Sequence, residues 1–268
     1  MLPEARRRSI LSHLSRVSSD TIIDLSQRYH VSTMTIRRDL RSLERGGYVT
    51  MTHGGAIFDG DAYQQIESHQ IERATIRAAE KRAIGRYVAT NFVGDDDVVF
   101  LDSGTTVRAI VPYLKAKSNL TTASNSMRTI QALFRILPQS AILCTGGTLA
   151  AAAQSYVGPV AERFFDDFFA RKAIISGVGY SIPAGLADSQ LLDTAVKKAM
   201  IRSAERSIVV IDSSKIGHTA MVQVLATSEI HTLVTDDGIS PGMRQDIEAA
   251  GIDLHVVPVK HGEQARVI

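Results

Sequence analysis

Val31-Ser32-Thr33-Met34-Thr35-Ile36-Arg37-Arg38-Asp39-Leu40 decides how the N-terminal part of this chain is read. Ser32 has a hydroxyl suited to cap a helix by accepting from a backbone N–H of the first turn. Beyond it, Ile36, Leu40 and Leu43 recur at spacings of four and three, so one apolar stripe faces inward. The same spacing leaves Thr33, Thr35, Arg37, Arg38 and Arg41 on or near the outer side. Two helices are read upstream. One covers roughly Pro3 to Ser15, with Ile10, Leu11 and Leu14 on one face; the next starts at Asp20 or Thr21 and carries Ile22, Leu25 and Tyr29. Downstream, Gly46-Gly47 is expected to stop the third helix. Tyr48 to Ala56 then alternates like strand and ends in the Gly54-Gly55 turn, the pattern of a β-hairpin or wing.

Two helices joined by a tight turn, the second polar and basic outward, match a helix-turn-helix. A recognition helix must fit a major groove about 12 Å wide and present donors to base edges and phosphates. Arg37 and Arg38 are neighbours and project about 100° apart on a helix. One can therefore reach a base while the other holds a phosphate. Thr33 and Thr35 fall in the first turn, where free N–H groups also favour phosphate. Residues 1–56 hold nine arginines against five acids, a net +4, whereas the whole chain is only +2. The first lysine is Lys81. Arginine suits this role because its planar fork donates two parallel hydrogen bonds. The competing reading is a solvated arginine face on a three-helix bundle; the wing and the basic bias weigh against it.

The 268 residues suit two domains, and 44% hydrophobic content is enough for a sizeable core. A single cysteine, Cys144, builds no internal disulfide framework. No apolar run of signal-peptide length follows the first arginines, and no stretch of about 18 apolar residues occurs. A cytoplasmic protein with no membrane partner is expected. Phe58 to His69 is polar and reads as a linker. A helix is predicted from about Glu72 to Phe92, with Ile76, Ala83, Ile84, Tyr87 and Val88 inward. From Asp97 onward, short apolar runs alternate with amphipathic stretches. The runs are 98–101, 120–123, 141–144, 173–175, 207–211, 231–234 and 254–257. Alternating strand and helix implies a largely parallel sheet covered on both faces.

The first of these strands ends in Asp102-Ser103-Gly104-Thr105-Thr106, where a helix starts. Such a turn offers backbone N–H groups, a helix dipole and hydroxyls to an anion. It is not a Walker loop, because no G-K-[ST] element is present. Other strands end in Ser124-Asn125-Ser126, Gly146-Gly147-Thr148, Ser176-Gly177-Val178-Gly179 and Asp212-Ser213-Ser214-Lys215. Ligands of open parallel sheets bind outside the carboxyl ends of the strands, so five such turns point to a shared pocket. Lys215 and Lys197 would supply positive charge to a phosphorylated ligand. Lys197 lies in Val196-Lys197-Lys198-Ala199-Met200, a helical stretch where a lysine is ordinarily solvated.

Val31-Ser32, Thr35-Ile36-Arg37-Arg38-Asp39-Leu40, Leu43-Glu44, Gly47 and His53-Gly54-Gly55-Ala56 together resemble the winged helix-turn-helix of the DeoR family of bacterial regulators. Glu80-Lys81-Arg82-Ala83-Ile84, Asp102 to Thr106, Gly146-Gly147, Val157-Gly158 and Asp212 to Gly217 resemble that family's sensor domain. The two stretches span most of residues 4–240. The resemblance implies an α/β chain: a winged helix-turn-helix over 1–57, a linker over 58–71, and a Rossmann-like α/β sensor over 72–268. The sensor is expected to be similar in fold to ribose-5-phosphate isomerase and CoA transferases. It implies DNA contacts from Ser32, Thr33, Thr35, Arg37, Arg38, Arg41 and His53. It also implies a sugar-phosphate effector held by Asp102, Ser103, Gly104, Thr105, Thr106, Asn125, Gly146, Gly147, Gly177, Lys197 and Lys215. Three places depart from the family pattern: Met51 where an arginine is frequent, Ala123-Ser124-Asn125-Ser126 where Thr-Asn-Ser is usual, and the short Asp193 one turn before Lys197. The expected protein is a repressor of carbohydrate catabolism genes, acting on duplex DNA as a homodimer or homotetramer, with no cofactor, no metal and no catalytic residue. The alternative is a sugar-phosphate isomerase-like enzyme with a DNA-binding appendage. Its carboxylates would come from Asp102, Asp188, Asp193, Glu205 or Asp212, yet no acids follow Ile175, where isomerases of similar fold carry them.

Overall fold

In the computed structural model, residues 3–45, 48–58 and 73–259 are described. The chain divides into two compact units, Met1–Glu72 and Arg73–Ile268. The apolar stripe of Ile36, Leu40 and Leu43 determines the first. It packs with Ile10, Leu14, Ile22, Leu25, Val49 and Ala56 into one core. The elements are α1 (Pro3–Val17), β1 (Ser19–Thr21), α2 (Ile22–Tyr29), α3 (Thr33–Arg45), β2 (Val49–Met51) and β3 (Gly55–Phe58). Thr21 caps α2 by accepting from the Asp24 N–H, and Ser32 caps α3 by accepting from the Thr35 N–H at 3.2 Å. Inside this unit the Arg6 Nε donates to the Asp39 carboxylate at 2.6 Å, with both side chains buried.

The wing differs from its expectation in one respect. It is a three-stranded sheet in the order β1-β3-β2, because Ser19–Thr21 pairs with β3 as well. Gly55 is therefore a strand residue opposite Thr21, not part of the turn. A Cβ on it would lie 2.3 Å from the Asp20 carbonyl, so the close approach of β1 requires glycine. The expected stop at Gly46-Gly47 and most of the 58–71 linker lie outside the described residues; Phe58 is the last residue of β3.

In the second unit, the single helix expected from Glu72 to Phe92 is broken. Residues 73–75 are helical, Arg77 takes a left-handed φ of 55°, and α4 spans Ala78–Asn91. Ile84 and Val88 pack inward with Ala83 and Tyr87, whereas Ile76, expected inward, is 54% exposed. After α4 come β4 (Val98–Leu101), α5 (Thr105–Arg108), β5 (Thr121–Ser124), α6 (Met127–Ile136), β6 (Ala141–Cys144), β7 (Thr148–Ala150), β8 (Ser155–Val157), α7 (Pro159–Arg163) and β9 (Ala170–Ile175). Then follow β10 (Gly179–Ser181), β11 (Gly185–Asp188), α8 (Leu191–Arg202), β12 (Ala204–Val210), β13 (Val222–Leu225), β14 (Thr232–Asp236), α9 (Pro241–Ala249) and β15 (Asp253–Val257).

Seven of these strands form a parallel sheet in the order β15-β14-β12-β9-β4-β5-β6. Strand alternation divides its side chains between two cores. Val99, Leu101, Ile174, Ile208 and Val210 join Ile84, Val88 and Leu133 of α4 and α6 on one face. Phe100, Ala173, Ile175 and Val209 join Ala161, Val196, Met200 and Ile247 of α7, α8 and α9 on the other. Burial on both faces explains why the inner strands read as apolar runs; the edge strands β6 and β15 stay partly exposed. Two antiparallel additions were not expected: the β7–β8 hairpin and the sheet β10-β11-β13. No helix among the described residues is long and apolar enough to cross a membrane.

From β4 the chain runs outward to β5 and β6, then returns to the other side of β4 with β9 and continues to β12, β14 and β15. The direction therefore reverses between β4 and β9, and a crevice opens at their carboxyl ends. The Arg6–Asp39 pair provides a test of the smaller unit. Arg6→Met leaves a buried carboxylate without its cation and is expected to cost about 3–5 kcal/mol in chemical unfolding. The double variant Arg6→Met/Asp39→Leu is expected to recover most of that loss; no recovery would remove the ion pair as the cause.

Candidate functional site

The candidate nucleic-acid interface is the outer face of α3. Thr33, Met34, Arg37, Arg38 and Arg41 are exposed, and Thr35 is half-buried. The side chains of Arg37, Arg38 and Arg41 have no hydrogen-bond or ion-pair partner among the described residues. Asp39 stands amid these basic residues but turns inward to Arg6, which removes a negative charge from the outer face. Ser32 is committed to capping and also meets the Thr35 hydroxyl at 2.9 Å. His53 is exposed in the turn between β2 and β3. Met51 sits in β2 with its N–H donating to the Glu44 carboxylate at 3.0 Å.

The second candidate site lies at the reversal between β4 and β9. Asp102 follows β4 and is fully buried; its Oδ2 accepts from the Ser176 N–H at 2.9 Å, just after β9. Lys197 rises from α8 into the same place. Its Nζ donates to Asp188 Oδ2 at 2.7 Å and to the Ser176 carbonyl at 2.8 Å, and lies 3.2 Å from Asp102 Oδ2 and 4.0 Å from Asp193 Oδ2. Asp193 in turn accepts from the Ser103 hydroxyl at 2.8 Å and from Asn125 Nδ2 at 3.1 Å. Asn125 Nδ2 also reaches the Tyr156 carbonyl of β8 at 3.2 Å. Gly146 and Gly147, both with positive φ, turn the chain from β6 into β7, the partner of β8. A Cβ on Gly177 would lie 2.7 Å from the Ala187 carbonyl, and one on Gly104 2.8 Å from Ser176 Cβ, so close packing alone demands glycine at both.

One ammonium thus meets three carboxylates. Burial disfavours the Lys197 charge, but Asp102, Asp188 and Asp193 outweigh it and hold the amine above its ordinary value. Burial pushes Asp102 up, against the pull of Lys197. Burial also acts to raise Asp188, yet the Lys197 charge and hydrogen bond hold it below the usual carboxylate range. Around this cluster several buried polar atoms have no hydrogen-bond partner among the described residues: Thr106 Oγ1, Asn125 Oδ1, Ser176 Oγ and Asp212 Oδ2. Thr105 and Thr106 open α5 and are buried. Lys215 stands nearby, its Nζ donating to the Gly177 carbonyl at 3.2 Å and lying 3.7 Å from Asp212 Oδ2.

The structure therefore brings Asp102, Ser103, Asn125 and Lys197 into one constellation and sets Lys215 against Gly177. It adds Ser176, Asp188 and Asp193, which the sequence did not assign to the effector: Ser176 stood only in a strand-end turn, and Asp188 and Asp193 only among the carboxylates of the alternative enzyme. The expectation that acids are missing here considered only the Ser176–Tyr180 loop. Asp188 and Asp193 reach the same point from β11 and α8 instead. Asp193 was legible as a spacing, one helical turn before Lys197; Asp188 had no local signal.

A solvated recognition helix in one unit and a parallel-sheet crevice lined by buried polar groups in the other are the parts of a two-unit transcriptional regulator. The comparisons agree. Residues 6–61 match the DeoR-like helix-turn-helix domain and residues 76–237 the DeoR C terminal sensor domain. The chain belongs to the DeoR family, and it is a regulator rather than an enzyme. It is 31% identical to the uncharacterized HTH-type transcriptional regulator YulB of Bacillus subtilis, over 97% of this chain and 98% of that protein. It is 33% identical to the transcriptional repressor AccR of Agrobacterium fabrum, over 80% and 82%. With the putative aga operon transcriptional repressor of Escherichia coli O157:H7 it shares 28%, over 94% and 93%. Among solved structures it is similar to ribose 5-phosphate isomerase from Plasmodium falciparum, at 12% identity over 52% of each chain and a TM-score of 0.38.

Removing the Lys197 charge tests the cluster. Lys197→Met leaves the buried acids around it, Asp188 foremost, without their cation and is expected to cost the sensor unit about 3–5 kcal/mol in urea unfolding at pH 7. Because Asp188 is depressed in the folded state, its contribution is present at neutral pH and is lost as pH falls through its folded value. The deficit of the variant is therefore expected to narrow as pH falls below about 4. A deficit independent of pH would attribute it to packing alone.

Proposed function

We propose that the chain represses carbohydrate catabolism genes by gripping a duplex operator through α3, and that a phosphorylated sugar bound at the β4–β9 reversal controls it. The observation that carries the effector reading is the set of buried, unpartnered polar atoms around Asp102, Asn125 and Ser176. Buried polar groups ordinarily have partners, and a polyhydroxylated ligand supplies donors and acceptors to each. Asp102, Asp188, Asp193 and Asn125 suit sugar hydroxyls, with Lys197 positioning the acids, while Ser103, Thr105, Thr106 and Lys215 line the approach. Gly104 and Gly177 let the turns pack together, and Gly146 with Gly147 completes the edge beside β8. The name of the E. coli relative, a putative repressor of the aga operon, supports a role in gene repression.

On the DNA side, Arg37 and Arg38 read or hold the duplex, Thr33, Thr35 and Arg41 contact phosphate, and His53 lies along the wing. A single helix reads few base pairs, so a homodimer or homotetramer on repeated half-sites is the working assembly. The effector changes operator affinity only by as much as it prefers one arrangement of the subunits over another. The protein operates in the cytoplasm, where both operator and phosphorylated sugars are found.

Arg37→Ala is expected to weaken specific operator binding by about 1–3 kcal/mol in a mobility-shift titration at fixed salt. Equal affinity would remove Arg37 from the reading face. A thermal-shift panel of phosphorylated sugars and their unphosphorylated parents tests the effector, since stabilisation grows with ligand concentration over Kd. A phosphorylated sugar is expected to stabilise the wild type, and Asn125→Ala is expected to lose that response yet keep operator affinity. A panel with no hit, or hits only among the parents, would sink the phosphorylated-effector reading.

A further inference from the structure

The two edges of the seven-stranded sheet differ in kind. β15, at one edge, carries Asp253 and His255, which bond to each other, and Pro258 follows it. Charge and proline keep an edge strand from pairing with another chain. β6, at the other edge, is Ala141-Ile142-Leu143-Cys144 and has neither. Its inner side pairs with β5, and the Thr145 N–H beyond it donates to the Ser124 carbonyl at 3.4 Å. Alternation from that bond turns the N–H and C=O groups of Ile142 and Cys144 away from β5. No backbone hydrogen bond from another of the described residues occupies them. The surface around this edge carries no charge either. Residues 136–161 contain no Asp, Glu, Lys, Arg or His, in a chain that is 22% charged. Ala141, Cys144, Ala151 and Ala152 of that tract are exposed, as is Leu149. Phe134 of α6, the helix that packs on β6, is 67% exposed.

A partner for this edge must supply backbone groups and present a neutral surface. A second copy of the chain does both. Antiparallel pairing of a strand with its own copy satisfies the outward groups of both at once, and a two-fold axis sets each nearby residue against itself. A charge beside such an axis would meet its like, so a charge-free tract is what self-pairing requires. We propose that β6 pairs antiparallel with β6 of a second copy about a two-fold axis at Leu143, which joins two seven-stranded sheets into one. In that register Ile142 of each copy exchanges hydrogen bonds with Cys144 of the other, and Leu143 faces its own copy. Ile142 packs on the α6 side of the sheet, and Cys144, two residues on, shares that face. The two Cys144 Cα atoms then stand about 9 Å apart, from two residues of about 3.4 Å along the strand and about 5.5 Å across it. The inference rests on the reading of an oligomeric repressor and names the surface that builds the oligomer.

The test uses the full chain, whose one cysteine is Cys144. Light scattering over a dilution series reads the mass, and a short bismaleimide reads the edge. The wild type is expected to have the mass of a dimer or a multiple of it, and to give a covalent dimer on a denaturing gel. Cys144→Ser/Asp253→Cys moves the thiol to the β15 edge and is expected to give none. Cys144→Lys sets like charges across the axis and is expected to weaken association about tenfold or more. Cys144→Ser is expected to associate as the wild type does. The cross-link is read on the wild type, so it decides the matter should the lysine variant not fold. A monomeric wild type overturns the edge pairing and the oligomeric reading together. An oligomer without the Cys144 cross-link, or one whose mass Cys144→Lys leaves unchanged on dilution, overturns the edge pairing alone and leaves the oligomeric reading standing.

Discussion

A single buried ammonium holds the sensor unit's crevice together. Lys197 ties α8 to the end of β4 through Asp102, to the end of β11 through Asp188, and to the turn after β9 through the Ser176 carbonyl. Two of those attachments end neighbouring strands of the parallel sheet and the third ends a strand of the separate β10-β11-β13 sheet, so the charge pairing joins elements that are distant in sequence. Removing water from such a cluster is expensive, and only dense hydrogen bonding offsets it. Ser103, Asn125 and the backbone N–H groups of Ser176, Ser189 and Gln190 supply that bonding to the carboxylates.

The two buried lysines of this unit are compensated differently. Lys197 meets three carboxylates, whereas Lys81 has the carbonyls of Arg73 and Ile76 as its hydrogen-bond partners. One stands on α8 against one face of the sheet and the other on α4 against the opposite face.

How much of this was legible in the sequence follows from how far each interaction reaches along the chain. The helix-turn-helix was legible because Ile36, Leu40 and Leu43 fix a face within one helix, and Ser32 marks its start. The inner parallel strands were legible because both of their faces are buried, which leaves short apolar runs. β1, β10 and β13 were not, since three or four residues of mixed polarity carry no period and depend on a distant partner. The break at Arg77 was hidden for the same reason: Lys81 stabilises it through carbonyls, which sequence pattern does not display. In the site, Asp102, Asn125 and Lys197 were found from strand-end chemistry and from the family resemblance. The neutralisation of Lys197 was missed because Asp188 arrives from an antiparallel strand that no periodicity announced.

The inward turn of Asp39 bears on how such a protein can change its target. α3 is held at a fixed rotation by Ile36, Leu40 and Leu43 and by the ion pair from Asp39 to Arg6 on α1. Those anchors lie on one side of the helix, and Thr33, Met34, Arg37, Arg38 and Arg41 lie exposed on the other. Substitution at the exposed positions changes the face that the helix presents and leaves its packing untouched. Surface chemistry and folding are therefore separable in this unit, and its outer face can be rewritten one exposed residue at a time without passing through an unfolded ancestor.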